Sequence, residues 1–98
     1  MKSIDIFWFR YKTLCAKQLE LQAAYEDADE ADRLAWKIYE GLDEETYWAN
    51  PKHYDEIVRE TSEKVKTLRG HLASLEDAIT HANRLAEELQ YLEDEGVL

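Results

Sequence analysis

The segment 54–89, YDEIVRETSEKVKTLRGHLASLEDAITHANRLAEEL, decides the fold of this chain. Apolar side chains, with one Thr among them, recur there at alternating spacings of four and three residues, as in the seam of a coiled coil. The seam positions are Tyr54, Val58, Thr61, Val65, Leu68, Leu72, Leu75, Ile79, Ala82, Ala86 and Leu89. Five heptads of this pattern predict one long amphipathic helix, which we place at 51–95.

Local signals mark both ends of this helix. Asn50 is a favourable capping residue, and Pro51 is tolerated at the first helical position because its missing N–H would have had no partner there. Gly96 follows the last turn of the seam and is typical of a helix C terminus. The residues before Asn50, 42–49, are expected to form a connector.

The N-terminal half carries a second stripe. Ser3 can cap a helix, and no Gly or Pro follows before Gly41. The stripe positions are Ile4, Phe7, Tyr11, Leu14, Gln18, Leu21, Tyr25, Ala28, Asp32, Ala35, Tyr39 and Leu42. After an acidic stretch near residue 30, the better apolar stripe is Ala31, Leu34, Ala35 and Ile38. We therefore predict one helix over 3–41 with a local shift of phase; the alternative is two helices joined near 28–30.

Two long helices and a short connector predict an all-α fold, an antiparallel helical hairpin that forms a single domain over 1–98. Charge favours this pairing, because residues 1–25 have a net charge of +2 and 87–95 contain five acids. A two-helix hairpin buries little apolar surface alone. We therefore expect a homodimer that forms a four-helix bundle.

Composition narrows the classes of function. Apolar residues make up 45% of the chain, too many for a disordered tail. The net charge of −10 argues against direct nucleic-acid binding and favours protein partners with a basic surface. No apolar run reaches the roughly 20 residues that a membrane span needs. The lone Cys15 forms no intramolecular disulfide, and we expect a cytoplasmic protein.

Two sets of residues are candidate interaction surfaces. The first, the apolar set, combines the nearly all-round apolar N terminus with apolar residues that the hairpin would bring beside it. Its members are Ile6, Phe7, Trp8, Phe9, Tyr11, Leu85, Leu89 and Leu92. Such a helix end is either a wide core contact or an intermolecular interface, of which aromatic residues are the usual anchors.

The second, the acidic set, lies in the segment 26–56, which has eleven acids and three bases. Its members are Glu26, Asp27, Asp29, Glu30, Asp43, Glu44 and Glu45. A solvated, solubilising surface is one interpretation. The other is a surface that imitates nucleic-acid phosphates, because carboxylates three or four residues apart on a helix are about 5–6 Å apart at Cβ. In size and charge the chain resembles small acidic phage proteins that block nucleic-acid-binding host defence enzymes.

Enzyme chemistry has weaker support. The pairs Glu40-x-x-Asp43 and Glu60-x-x-Glu63 resemble the paired acids of all-α nucleotide pyrophosphohydrolases, which hold magnesium. The pairs occur in the reverse order from that family's pattern. We expect no catalytic residue, no metal and no cofactor. The sequence thus predicts a module that binds and regulates or blocks a macromolecular partner, with the phage-type nucleic-acid mimic as the alternative and the pyrophosphohydrolase as a distant third.

Overall fold

The structure, a computed structural model, describes residues 3–97 and the side chains from Asp5 to Val97. Three helices account for nearly all of them: α1 (Ser3–Glu40), α2 (Glu44–Ala49) and α3 (Pro51–Asp94). There is no strand in this part of the chain, so the all-α prediction is confirmed. The predicted cap by Ser3 and the predicted burial of Ile4 lie outside the described side chains.

The first helix is continuous, and no joint occurs near 28–30. It ends where the N–H of Gly41 donates to the carbonyls of both Lys37 and Ile38, at 3.2 Å each. A shared bond of this kind is common in the tightened last turn of a helix. The single-helix prediction is confirmed.

The predicted connector 42–49 is wrong in one respect, because it contains α2. Asp43 has an extended backbone, and its side chain accepts a 2.7 Å hydrogen bond from the backbone N–H of Thr46. This is an N-cap, and Glu44 and Glu45 in the first turn suit the helix dipole. Six residues of helix therefore form from local signals.

The last helix ends in a Schellman motif. The N–H of Val97 donates to the carbonyl of Leu92 at 2.9 Å, and the N–H of Gly96 donates to that of Glu93 at 3.0 Å. Gly96 has a φ of +78°, a left-handed conformation that only glycine adopts without strain. The position of Gly96 thus ends α3 within one residue of the predicted boundary.

Contacts divide the chain into two units. The middle unit, Gln22–Gly70, contains the C-terminal half of α1, all of α2 and the N-terminal half of α3. The terminal unit combines the α1 residues up to Leu21 with the α3 residues from His71. The middle unit buries Ala28, Val58 and Val65, and the terminal unit buries Leu72 and Ala86.

Hydrogen bonds join α1 to α3 within the middle unit. Asp32 accepts from the hydroxyls of Thr61, at 2.8 Å, and Ser62, at 2.9 Å. Closer to the α2 end, the indole N–H of Trp36 donates to the Ser62 hydroxyl at 3.0 Å. Every described residue of the α3 stripe and of the unshifted α1 stripe is buried or half-buried. The α3 stripe is therefore confirmed, and the α1 stripe is confirmed as far as Ala28.

The predicted shift of phase in α1 is wrong. Leu34 is 54% exposed and Ile38 is 62% exposed, whereas Asp32 and Ala35 are half-buried. The original stripe continues through this region because the Asp32 carboxylate is satisfied by hydroxyl groups of α3. Within the described chain, Leu34 and Ile38 remain more than half exposed.

Candidate interaction surfaces

The acidic set forms two groups. Residues 26–30 lie on α1, and 43–45 lie at the start of α2. At 1.5 Å per residue, about 20 Å of α1 axis separates residue 28 from the helix end. The structure therefore provides two smaller acidic surfaces within the middle unit.

Three members of this set have local structural roles. Glu26 accepts a 3.4 Å hydrogen bond from Gln22, and Asp29 forms a 2.9 Å ion pair with Arg33. Hydrogen bonds from the side chain and the backbone of Thr46 lower the pKa of Asp43. These carboxylates are occupied within the chain, so they contribute less to any external contact.

The other four acids are available to a partner. Asp27, Glu30, Glu44 and Glu45 are exposed and form no side-chain hydrogen bond or ion pair with the described residues. Exposed carboxylates without a fixed partner keep their charge directed to solvent. They are the part of the acidic set that can act on another molecule.

Two further acids hold the middle unit together, and sequence reasoning missed both. Asp32 bridges α1 to α3, and Asp55 accepts hydrogen bonds from the hydroxyls of Tyr39, at 3.1 Å, and Tyr47, at 3.0 Å. The sequence did contain a signal for Asp32: it is a polar residue at a position of the α1 stripe, and Thr61 is a polar residue at a position of the α3 stripe. No comparable signal marks Asp55, because its partners come from α1 and α2.

The two tyrosines that bind Asp55 belong to an aromatic cluster. The rings of Trp36, Tyr39, Tyr47 and Trp48 form consecutive edge-to-face contacts, with centroids 5.6, 5.7 and 5.1 Å apart. Edge-to-face pairs of this kind stabilise a fold beyond simple burial. The cluster fixes α2 against α1, and it leaves Trp48 69% exposed.

The tyrosines of this cluster give a test of the geometry. Hydrogen bonding with Tyr39 and then with Asp55 raises the pKa of Tyr47 to about 12. A raised tyrosine pKa means that the contribution to stability is full below pH 10, the ordinary pKa, and is lost as the pH rises toward 12. We expect the tyrosinate absorbance to include a late-titrating component, to which Tyr11 and Tyr47 both contribute, and Tyr47→Phe should reduce its amplitude. Tyr91→Phe, at an exposed tyrosine, should leave that amplitude unchanged, and an unchanged amplitude in Tyr47→Phe would contradict this geometry.

The apolar set belongs to the terminal unit. Ile6 is 41% exposed and Phe9 is 69% exposed. The remaining members are half-buried: Phe7, Trp8, Tyr11, Leu85, Leu89 and Leu92. The set thus combines a packed inner part with a free outer edge, and an open groove of about 550 Å³ adjoins it at Tyr91 and Leu92.

Tyr11 connects the two halves of the apolar set. Its ring makes an edge-to-face contact with Trp8 at 5.7 Å. A hydrogen bond with Cys15 raises the pKa of Tyr11, and the negative charge of Glu87 on α3 raises it further. Tyr11 on α1 is therefore within electrostatic range of Glu87, which lies between Leu85 and Leu89 in the sequence of α3.

Small grooves occur on the middle unit. One, of about 320 Å³, is lined by Trp36, Val58, Arg59, Ser62, Glu63 and Lys66. A smaller apolar pit of about 80 Å³ is lined by Ala35, Ile38, Tyr39, Tyr54, Ile57 and Val58. Exposed apolar side chains line both the groove and the pit. The middle unit is therefore a second candidate surface, in addition to the apolar set.

Among residues 3–97, no group of three or more His, Cys, Asp or Glu side chains could hold a metal ion. No helix in the described part of the chain has the length and apolar character needed to cross a membrane.

No protein-family model, curated protein or solved structure matches this chain.

Proposed function

We propose that this chain is a small acidic helical module that binds another protein and regulates or blocks it. One observation carries the proposal. Among the described residues only five apolar side chains are buried, all Ala, Val or Leu, whereas ten large apolar residues are exposed. A chain with more large apolar side chains outside than inside gains stability when a partner covers them.

The arrangement of these residues adds support. Ile6 and Phe9 lie three residues apart on α1, and Leu34 and Ile38 lie four apart, so each pair shares a helix face. Isolated exposed apolar residues are ordinary on protein surfaces, but contiguous ones mark interaction sites. No enzymatic activity is part of the proposal.

The proposed architecture is an antiparallel hairpin of α1 and α3, of which two copies form a four-helix bundle. The hydrogen bonds of the middle unit support the antiparallel direction. Tyr25 contacts Arg69 and Tyr39 contacts Asp55, so higher numbers on α1 pair with lower numbers on α3.

Two surfaces are proposed for the partner. The apolar set offers the exposed Ile6 and Phe9 as anchors. The acidic set offers Asp27, Glu30, Glu44 and Glu45, which would attract a basic protein surface. The alternative function, a nucleic-acid mimic that occupies the phosphate-binding groove of a host enzyme, draws its support from the same four carboxylates.

Salt distinguishes these two functions. The full chain, immobilised, is used to capture proteins from a lysate at about 50 and about 500 mM salt, between which the Debye length falls from roughly 14 Å to roughly 4 Å. Groove occupation by charge should weaken about tenfold or more, whereas apolar helix docking should change by less than about twofold. Failure to retain any protein at either concentration would contradict the proposed function.

A further inference from the structure

The exposed stripe of α1 continues onto α3. Ile38 and Ile57 line the same apolar pit, so the two helices present these residues side by side. Leu34 lies one turn before Ile38, and Ala31 lies one turn before Leu34; both are exposed. We call this surface the Ile38 face and define it as Ala31, Leu34, Ile38 and Ile57.

The Ile38 face is distinct from the α1–α3 contact. Asp32, Ala35 and Tyr39, which alternate with the face residues along α1, are half-buried. The face residues Leu34, Ile38 and Ile57 are 54%, 62% and 37% exposed. Apolar spacing of three and four residues is the pattern of a helix that packs on a partner, and within the described chain these three residues stay more than a third exposed.

The shape of the face suits a second copy of itself. It combines an exposed aliphatic side chain, Leu34, with a pit of about 80 Å³ one turn away, whose wall includes Ile38 and Ile57. That volume has room for the end of an aliphatic side chain. A two-fold interface brings one patch against the same patch on another copy, so both the protrusion and the recess must belong to one face.

Charge also selects a second copy. The charged residues at helical spacing around the face are Asp27, Glu30 and Lys37 on α1, with Glu60 and Lys64 on α3. All are exposed, and their net charge is −1 in a chain of net −10. Two strongly acidic copies can approach with little repulsion at such a surface, whereas a basic partner would be attracted to more acidic ones.

We infer that the Ile38 face is the self-association surface of this chain, where a second copy docks about a two-fold axis. The inference rests on the proposed hairpin dimer and names the residues that form it. The border of the face contains the acids Asp27, Glu30 and Glu60 and the bases Lys37 and Lys64. A two-fold contact presents the same border on both copies, so that acids of one copy can pair with bases of the other.

The test is the mass in solution, measured by light scattering from about 5 to about 200 µM. The full chain should give about 23 kDa, twice its 11.6 kDa. Ile38→Glu should reduce the mass to 11.6 kDa, because it buries a charge in the apolar contact. Leu19→Glu is the matched control: it puts the same acid at a 74% exposed position outside the face, and the mass should stay at about 23 kDa.

Crosslinking provides a second readout that needs no destabilising charge. In a Cys15→Ser background, Leu34→Cys should form a disulfide-linked dimer under mild oxidation, and Leu19→Cys should form little. A mass of 11.6 kDa for the full chain up to about 200 µM overturns the inference, as does a dimer that survives Ile38→Glu. Neither measurement involves a partner, so a negative result in both would count against the dimer and not against the capture of a protein from a lysate. Conversely, if the chain is dimeric but captures no protein, the result counts against the proposed function alone.

Discussion

Replacing Leu72 by alanine should lower the free energy of unfolding by about 2–5 kcal/mol, the usual cost of removing a buried leucine side chain. Leu72 is 7% exposed and lies in the terminal unit, at a position of the α3 stripe. Since small domains are stable by only about 5–15 kcal/mol, the loss is a large share of the total. Urea unfolding followed by far-ultraviolet circular dichroism, at one fixed protein concentration, measures it.

Leu19→Ala is the matched control for this experiment. The chemical change is identical, but Leu19 is 74% exposed on α1. Its replacement should change the free energy of unfolding by no more than about 0.5 kcal/mol, as for other surface positions. Equal losses from the two variants would mean that the α3 stripe is not the core of the terminal unit.

The stripe on α3 could be predicted from the sequence because its pattern has one interpretation. From Tyr54 to Leu89, every fourth or third residue is apolar or Thr, and no competing stripe exists. All eleven positions are buried or half-buried. Periodicity is reliable where a single helix face is apolar.

On α1 the same reasoning selected the wrong stripe after residue 30. Leu34 and Ile38 are more apolar than Asp32, so a count of apolar residues favours them. Such a count ignores a carboxylate satisfied across the interface by Thr61 and Ser62, which lie 29 and 30 residues away in the chain. Hydrogen bonds between distant segments are invisible to a local pattern, and so is the difference between an apolar stripe that packs within the chain and one left for another molecule.

The short α2 was missed for a different reason. Asp43, followed by two acids, is a good start signal for a helix. A helix of six residues, however, has too few turns to show an apolar period. Its placement depends on Tyr47, whose hydroxyl reaches Asp55 on α3, and this contact follows only from the three-dimensional fold.

Both candidate surfaces were named from the sequence, but their internal organisation was not. The acidic set had seven members of equal standing, and the structure separates four available carboxylates from three that are occupied. The distinction depends on contacts with neighbours such as Arg33 and Thr46, and neither composition nor a count of charges reveals these contacts. A charge-reversal variant therefore needs to replace only the four available acids.

Replacing those four acids by lysine should abolish partner binding if the acidic set is the partner surface. The variant combines Asp27→Lys, Glu30→Lys, Glu44→Lys and Glu45→Lys. The fold should survive, because these side chains make no hydrogen bond or ion pair with the described residues. Lysine at 44 and 45 opposes the dipole of α2 and should cost about 0.3–1 kcal/mol at each position. Circular dichroism checks the fold and light scattering checks the mass, since Asp27 and Glu30 also border the Ile38 face.

A variant with the same total charge separates a specific surface from a general effect of acidity. Glu20, Glu76, Asp77 and Glu95 are exposed acids of the terminal unit that lie outside the apolar set and its groove. Because each acid-to-lysine change adds two charges, both fourfold variants move the net charge from −10 to −2. The control variant should retain the partner at low salt; equal loss from both would show that net charge alone governs binding.

Phe9→Ala completes this comparison. Phe9 is 69% exposed, so removing its ring should cost little stability while deleting an anchor of the apolar set. If Phe9→Ala lowers capture about tenfold or more and the acid-to-lysine variant binds normally, the contact is apolar and the nucleic-acid mimic is excluded. If the acid-to-lysine variant loses the partner, Phe9→Ala retains it and capture falls steeply with salt, the four carboxylates are the binding surface and the apolar N terminus serves another contact.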